Sequence, residues 1–196
     1  MSIVNVFVLD EDPVEAAEQQ CDKHIPKMVV ESGQMLSTAH RMLDGERRQE
    51  RNKNGRMVTI YELPDHREWI LYKAVHYNHP CTVWTRASDL NYRWHYRHFK
   101  ALCDEYTYRY GKEHLTDRRL REALAQPPIN IPRFGKRTPF PLAMGSNPEC
   151  MYPEDPVKSY RLFYQTKQDR FKMEWKTRPV PEWFNYNKSV DNPVAA

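Results

Sequence analysis

Within a seven-residue stretch, Cys21, Asp22, Lys23, His24 and Lys27 bring together a thiol, a carboxylate, two ammonium groups and an imidazole, with Pro26 just before Lys27. Such a cluster can move protons near neutral pH through His24 and supply negative charge through Asp22. Lys23 and Lys27 can hold a phosphate. Apolar residues follow at steps of three and four: Ile25, Met28, Val29, Met35, Leu36, Ala39, Met42 and Leu43. That spacing predicts a helix with one buried face, and it puts the charged cluster at the helix entrance. Just upstream runs an apolar segment, Ile3-Val4-Asn5-Val6-Phe7-Val8-Leu9. A titratable cluster on a rigid element close to the chain terminus is a place where a site can be built.

A second chemistry is spread along the middle of the chain, where aromatic and basic residues interleave. Examples are Trp84-Thr85-Arg86, the run from Tyr92 to His98, and Tyr106-Thr107-Tyr108-Arg109-Tyr110. Cations neutralise phosphates while aromatic faces accept stacked bases, so the pattern predicts DNA binding. The expected contacts are Lys23, Lys27, Arg47, Arg48, Arg51, Arg93 and Arg97, with Trp94 or Tyr96 near the base. The plainer alternative is an aromatic core under a solvated basic face. A net charge of +4 and an isoelectric point near 8.8 are only mildly basic, so distribution carries this expectation rather than the sum.

Other constellations compete. Cys21 and His24, His76 and His79, and His95 and His98 are each three residues apart, a spacing that can share a helix face and suits zinc. No CxxC pair is present, and no metal or other cofactor is expected. A Cys–His nucleophilic pair built on Cys21 or Cys81 is a further alternative. Asp104 or Glu105 can supply an acid from the central helix, or simply form ion pairs on its surface. The six glycines are dispersed and form neither a P-loop nor a dinucleotide fingerprint, which argues against nucleotide hydrolysis and NAD-dependent chemistry.

The elements that must position these groups follow from caps and breakers. Asp12-Pro13-Val14-Glu15 is a helix start, with Asp12 as N-cap. Pro26 should break or kink the pattern, giving a short helix to about residue 24 and a longer one to about 43, stopped at Asp44-Gly45. Residues 45–56 contain no apolar side chain and are expected as a basic surface loop. A short strand from Met57 to Leu63 is expected to pair with Trp69–Tyr72 across Pro64-Asp65. Ser88-Asp89 opens a long helix to about Tyr110, ended by Gly111. Thr116-Asp117 caps a shorter one to about Ala125. The proline-rich stretch 127–153 should be extended, and Asp155-Pro156 opens a last helix to about residue 173. The aromatic tail around Trp183-Phe184 should be pinned to the body.

At 196 residues, 40% of them hydrophobic and 29% charged, the chain is expected to be one mainly α-helical domain with a minor β hairpin, residues 1–187, and a disordered tail, 188–196. Apolar runs are too short for a membrane span and no secretion signal is evident. Four scattered cysteines suggest reduced thiols in a cytoplasm, the host's if the chain is phage-encoded.

The order of elements, with Val4-Asn5-Val6, Lys23-His24-Ile25-Pro26-Lys27, Arg178-Pro179 and Trp183-Phe184-Asn185-Tyr186, resembles the phage-type pyrimidine-dimer DNA glycosylases of the endonuclease V type. The resemblance implies their helical fold, DNA as partner, and N-glycosylase/AP lyase activity in DNA repair. The nucleophile in that family is the α-amine exposed when Met1 is removed, here that of Ser2. Such an amine has a reference pKa near 8, so a useful fraction is neutral at physiological pH. Where the family carries its catalytic Glu this chain has His24, the nearest carboxylate is Asp22, and Ile3 replaces a basic residue. Catalytic roles are therefore expected at Ser2, Asp22 and His24. A DNA base-hypermodification enzyme and a non-catalytic DNA-binding module are the alternatives on the same scaffold.

Overall fold

Asp12 begins the helical part of the fold as the caps predict. Its carboxylate accepts the backbone N–H groups of Val14 and Glu15 at 2.8 and 3.3 Å, and Pro13 occupies the first position of α1 (Pro13–Glu18). The computed structural model describes residues 4–187. Ser2, Ile3 and the tail expected at 188–196 lie outside the described residues. After a turn comes α2 (Ile25–Asp44), with Pro26 in its first turn, so the proline starts this helix rather than kinking it.

The hairpin differs from the expected one. Strands β1 (Glu46–Arg51) and β2 (Met57–Glu62) pair antiparallel, Glu46 opposite Glu62 and Arg51 opposite Met57. Trp69 lies instead in a short helix, α3 (Arg67–Ile70). The stretch expected as a loop is thus a strand, with both its faces exposed. Hydrophobic periodicity reports burial, and a strand with no buried face leaves no such signal. Turn chemistry closes the hairpin. The Asn52 side chain accepts the Asn54 and Arg56 amide protons, and Gly55 takes φ +74°.

Helices α4 (Pro80–Ala87), α5 (Asp89–Tyr110), α6 (Leu115–Leu120) and α7 (Pro156–Gln165) complete the set, and a 3₁₀ turn, Thr166–Asp169, follows the last. Ser88 caps α5 through the Asn91 amide, and Gly111 ends it in the left-handed region at φ +65°. Asp155 caps α7. His114, not Thr116, caps α6. Among the described residues the protein is mainly helical with one two-stranded hairpin, and no helix is long and apolar enough to cross a membrane.

α5 packs on α1, α2 and α4, and the buried faces of α2, α5 and α7 share one core with the N-terminal segment. That segment, Val4 to Leu9, is buried without pairing in a sheet. Side chains satisfy several of its backbone groups: Arg161 donates to the Leu9 carbonyl and Glu31 accepts from the Asn5 amide. Arg41, wholly buried in α2, donates to the carbonyls of Tyr61, Glu68, Leu71 and Tyr72 and pairs with Glu68 at 2.5 Å. It ties α2 to the hairpin and α3.

Candidate functional site

The turn between α1 and α2 is fixed from three directions, and this decides where the charged cluster points. The Asp22 amide donates to the Glu174 carbonyl at 2.9 Å, the Cys21 amide donates to the Tyr164 hydroxyl at 2.9 Å, and Tyr110 donates to the Asp22 carbonyl at 2.7 Å. Held in this way, Lys23, His24 and Lys27 line a cleft of about 380 Å³ together with Asn5 and Phe7. The opposite wall comes from α7 and the turn after it: Phe163, Lys167, Arg170 and Phe171.

His24 is buried in the aromatic wall, stacked on Phe7 with ring centroids 5.0 Å apart and edge-on to Tyr164 and Phe171. Its Nδ1 lies 2.7 Å from the Tyr164 hydroxyl. Burial, reinforced by Lys27, Lys167 and Lys23, pulls its pKa down to about 3. The imidazole is therefore neutral across the physiological range. The Tyr164 hydroxyl proton has two acceptors in reach, His24 Nδ1 at 2.7 Å and Cys21 Sγ at 3.4 Å. The nitrogen is the closer and stronger acceptor, which leaves the imidazole proton on Nε2. A neutral Nε2–H donor can hold an oxygen in the cleft, but it cannot act as an imidazolium acid near neutral pH.

Asp22 does not line the cleft. Its carboxylate pairs with Arg109 at 3.1 Å and accepts the Lys176 amide at 3.0 Å, so the catalytic role expected for it meets a structural clamp instead. The turn sends Asp22 to Arg109 and Lys176 and His24 to Tyr164, so the two side chains diverge. A carboxylate that sequence reasoning missed lies closer to the cleft residues: buried Glu31 accepts the Asn5 amide proton at 3.3 Å and pairs with Lys27 at 3.1 Å. Its four-residue spacing from Lys27 was the available signal.

The electrostatics of the cleft are one-sided. Lys27 has Glu31, but Lys23, Lys167 and Arg170 have no ion-pair partner among the described residues. Lys23 lies over the Phe171 ring at 4.5 Å and Lys167 over Phe163 at 3.4 Å, both cation–π contacts. Desolvation, with Arg170 and Lys27 nearby, lowers the Lys167 pKa to about 8. Lys167, Arg170 and Phe171 were not expected from the sequence, being separated from His24 by more than 140 positions.

Of the other expected DNA contacts, Arg47, Arg48 and Arg51 project from the exposed hairpin, and Arg93 and Arg97 are exposed on α5. Arg48 pairs with Glu46 and Glu62, Arg51 donates to the Gly55 carbonyl, and Arg97 reaches Asp12 at 3.4 Å. None of the five lines the cleft. The aromatic residues expected near a base are not free to stack. Trp94 is 7% exposed, packs against Trp84, His98 and Phe140, and donates to the Glu11 carbonyl. The Tyr96 hydroxyl donates to the Arg121 carbonyl. Of the aromatic residues lining the cleft, Phe7 and Phe163 are buried and Phe171 is half-buried.

The competing constellations are otherwise engaged. His79 Nδ1 accepts the Cys81 amide proton, His95 Nδ1 lies 2.7 Å from Thr85 Oγ1, and His98 Nε2 lies 3.2 Å from Gln20. Among the described residues no group of three or more His, Cys, Asp or Glu gathers to hold a metal ion. Burial raises the Cys21 thiol pKa and pushes that of Cys81 up to about 11, the opposite of an activated nucleophile. Glu105 is committed to Arg109 and Arg178, and Asp104 to Arg121.

No protein-family model matches this chain, and neither a curated protein nor a solved structure does.

Proposed function

We propose that the protein binds DNA and holds a damaged or modified pyrimidine nucleotide in the cleft, acting on it by N-glycosylase/AP lyase chemistry through the Ser2 α-amine. The observation that carries this reading is the cleft itself, with four cationic side chains around aromatic walls, lined by a residue only three positions after Ser2. The cations suit phosphate and the half-buried Phe171 ring suits a base. The helical fold with its small hairpin is compatible with the scaffold of the pyrimidine-dimer glycosylases, to which we assign it on the sequence resemblance.

In this mechanism the amine lone pair attacks C1′ and the glycosidic electron pair leaves with the base, which takes up a proton. Opening of the sugar ring then gives an imine, from which β-elimination breaks the strand. Glu31, held between the Asn5 amide and Lys27, supplies the negative charge that the developing sugar cation needs. His24 donates a hydrogen bond through Nε2. Asp22 has no part. Borohydride reduction tests the reading: with DNA containing an abasic site or a modified pyrimidine, an imine-forming enzyme becomes covalently attached. Trapping by wild type, lost in Glu31→Gln and in a chain that keeps Met1, is the expected result.

The second reading is a DNA-binding module without catalysis. The observation favouring it is that the one carboxylate in the charged turn, Asp22, is committed to Arg109. Salt-sensitive gel shifts with no trapped adduct on any substrate support that reading. The third reading, a DNA base-hypermodification enzyme, keeps the same cleft and requires turnover of a modified pyrimidine without strand cleavage.

A further inference from the structure

Lys167 is 7% exposed and its ammonium, resting on the Phe163 ring, makes no hydrogen bond or ion pair among the described residues. A partly desolvated ammonium at the cleft wall without an anionic partner is one that a bound anion would stabilise. Among the described residues, two further cations, Lys23 and Arg170, line the same cleft without ion-pair partners, and Lys27 pairs with Glu31. The cleft also takes in the first turn of the 20-residue helix α2, whose N-terminal end is the positive end of its dipole.

Charge matching narrows the ligand. A backbone phosphodiester carries a single negative charge and leaves two of the three unpaired cations unneutralised. A phosphate monoester brings up to two charges at neutral pH and a diphosphate three. We propose that Lys167, with Arg170, Lys27 and Lys23, forms a subsite for a multiply charged phosphate group, a monoester or diphosphate borne by a nucleotide whose base or sugar meets Phe171. This deepens the nucleotide-binding reading of the cleft and rests on it for the nucleoside part alone. A cleft of about 380 Å³ falls in the range of small-ligand sites, about 300–1,000 Å³. The lowered Lys167 pKa, about 8, adds a linkage: an anion that restores the ammonium raises that pKa, so binding near pH 8 takes up a fraction of a proton.

Titration calorimetry on the full chain at low salt tests this with inorganic pyrophosphate, thymidine 5′-monophosphate, thymidine and the diester thymidylyl-thymidine. The first two should bind at least about tenfold more tightly than the last two, a gap of about 1.4 kcal/mol. Proton uptake at pH 8 should show as a buffer-dependent enthalpy. Lys167→Gln should lose pyrophosphate binding, and Lys167→Arg should keep binding without proton uptake. Exposed Arg170→Gln provides a second variant, expected to weaken pyrophosphate several-fold, should Lys167→Gln fail to fold. Equal affinity for diester and monoester, or wild-type pyrophosphate binding in Lys167→Gln or Arg170→Gln, overturns the subsite.

Gel shifts with oligonucleotides, with and without a 5′-phosphate, separate this proposal from the DNA reading. DNA binding that pyrophosphate cannot displace sinks the subsite and leaves the DNA reading standing. Pyrophosphate binding with no binding to any oligonucleotide supports the subsite, makes a free nucleotide the source, and removes the DNA reading. Preference for the 5′-phosphorylated strand supports the subsite with a DNA end as the source.

Discussion

Tyr164 places its hydroxyl 2.7 Å from His24 Nδ1 while accepting the Cys21 amide proton at 2.9 Å, so one buried phenol joins α7 to the turn that carries the charged cluster. That side chain helps hold the two walls of the cleft in register. Tyr164→Phe keeps the ring and removes the hydroxyl, leaving a buried amide and a buried imidazole nitrogen without their partner. A loss of about 1–3 kcal/mol in stability is expected, measured by urea denaturation. A variant as stable as the parent would contradict the bridging role.

Acid should weaken the fold early. The pKa values of His24, His40 and His98 are lowered by burial to about 3, 4 and 3, and that of His95 is also lowered. Each folded pKa lies below the unfolded value near 6.5, so the unfolded chain binds more protons as pH drops. The stability is fully present above about pH 6.5 and declines as pH falls toward the folded values, by up to about 1.4 kcal/mol per pH unit for each histidine. Melting temperatures recorded from pH 7.5 to 4.5 should fall from about pH 6 downward. An NMR titration that shows His24 protonating near pH 6.5 would overturn this assignment.

Asp22→Asn should separate structure from chemistry. The change weakens the pair with Arg109 and the acceptor for the Lys176 amide, so the melting temperature should drop. DNA affinity and borohydride trapping, measured well below that temperature, should match wild type. A stable Asp22→Asn protein that no longer traps DNA would return Asp22 to the catalytic role expected of it from the sequence.

The cleft and the exposed arginines are distinguishable by salt. If Lys23 and Arg170 neutralise phosphates, Lys23→Ala and Arg170→Ala should each reduce the slope of log affinity against log salt by about 1. Phe171→Ala should cost about 1–3 kcal/mol in binding through lost stacking. Trp94→Phe should leave affinity unchanged, because Trp94 is already packed inside. Slopes that respond only to changes at Arg47, Arg48 and Arg51 would move the DNA interface from the cleft to the hairpin.

Arg41 is wholly buried and its guanidinium serves four carbonyls and one carboxylate. Arg41→Ala leaves those carbonyls without their donor and Glu68 with only Lys73 and the Leu63 amide, so a loss of about 3 kcal/mol is expected in urea denaturation. A loss below about 1 kcal/mol would mean that water replaces the guanidinium at little cost.

Local chemistry in the sequence determined where α1, α5 and α7 begin and where α5 ends. Asp12, Ser88 and Asp155 accept the first-turn amides because short polar side chains fit N-cap geometry, and Gly111 tolerates the left-handed turn that ends α5. Three-four periodicity likewise marked Ile25, Met28, Val29, Met35, Leu36 and Ala39 as buried. It also put Lys23, His24 and Lys27 at one helix entrance. Tertiary structure alone decided the rest. Nothing local distinguishes Asp22 from His24 as a cleft residue; the fixed turn sends one to Arg109 and the other to Tyr164. Nothing local shows that Trp94 is packed inside while Phe171 is open to the cleft, since aromatic composition is the same signal for a core and for a stacking face. Lys167 and Arg170 join the site because α7 packs beside the N-terminal segment, and contacts across more than 140 residues follow from the shapes of buried faces, which sequence spacing does not encode.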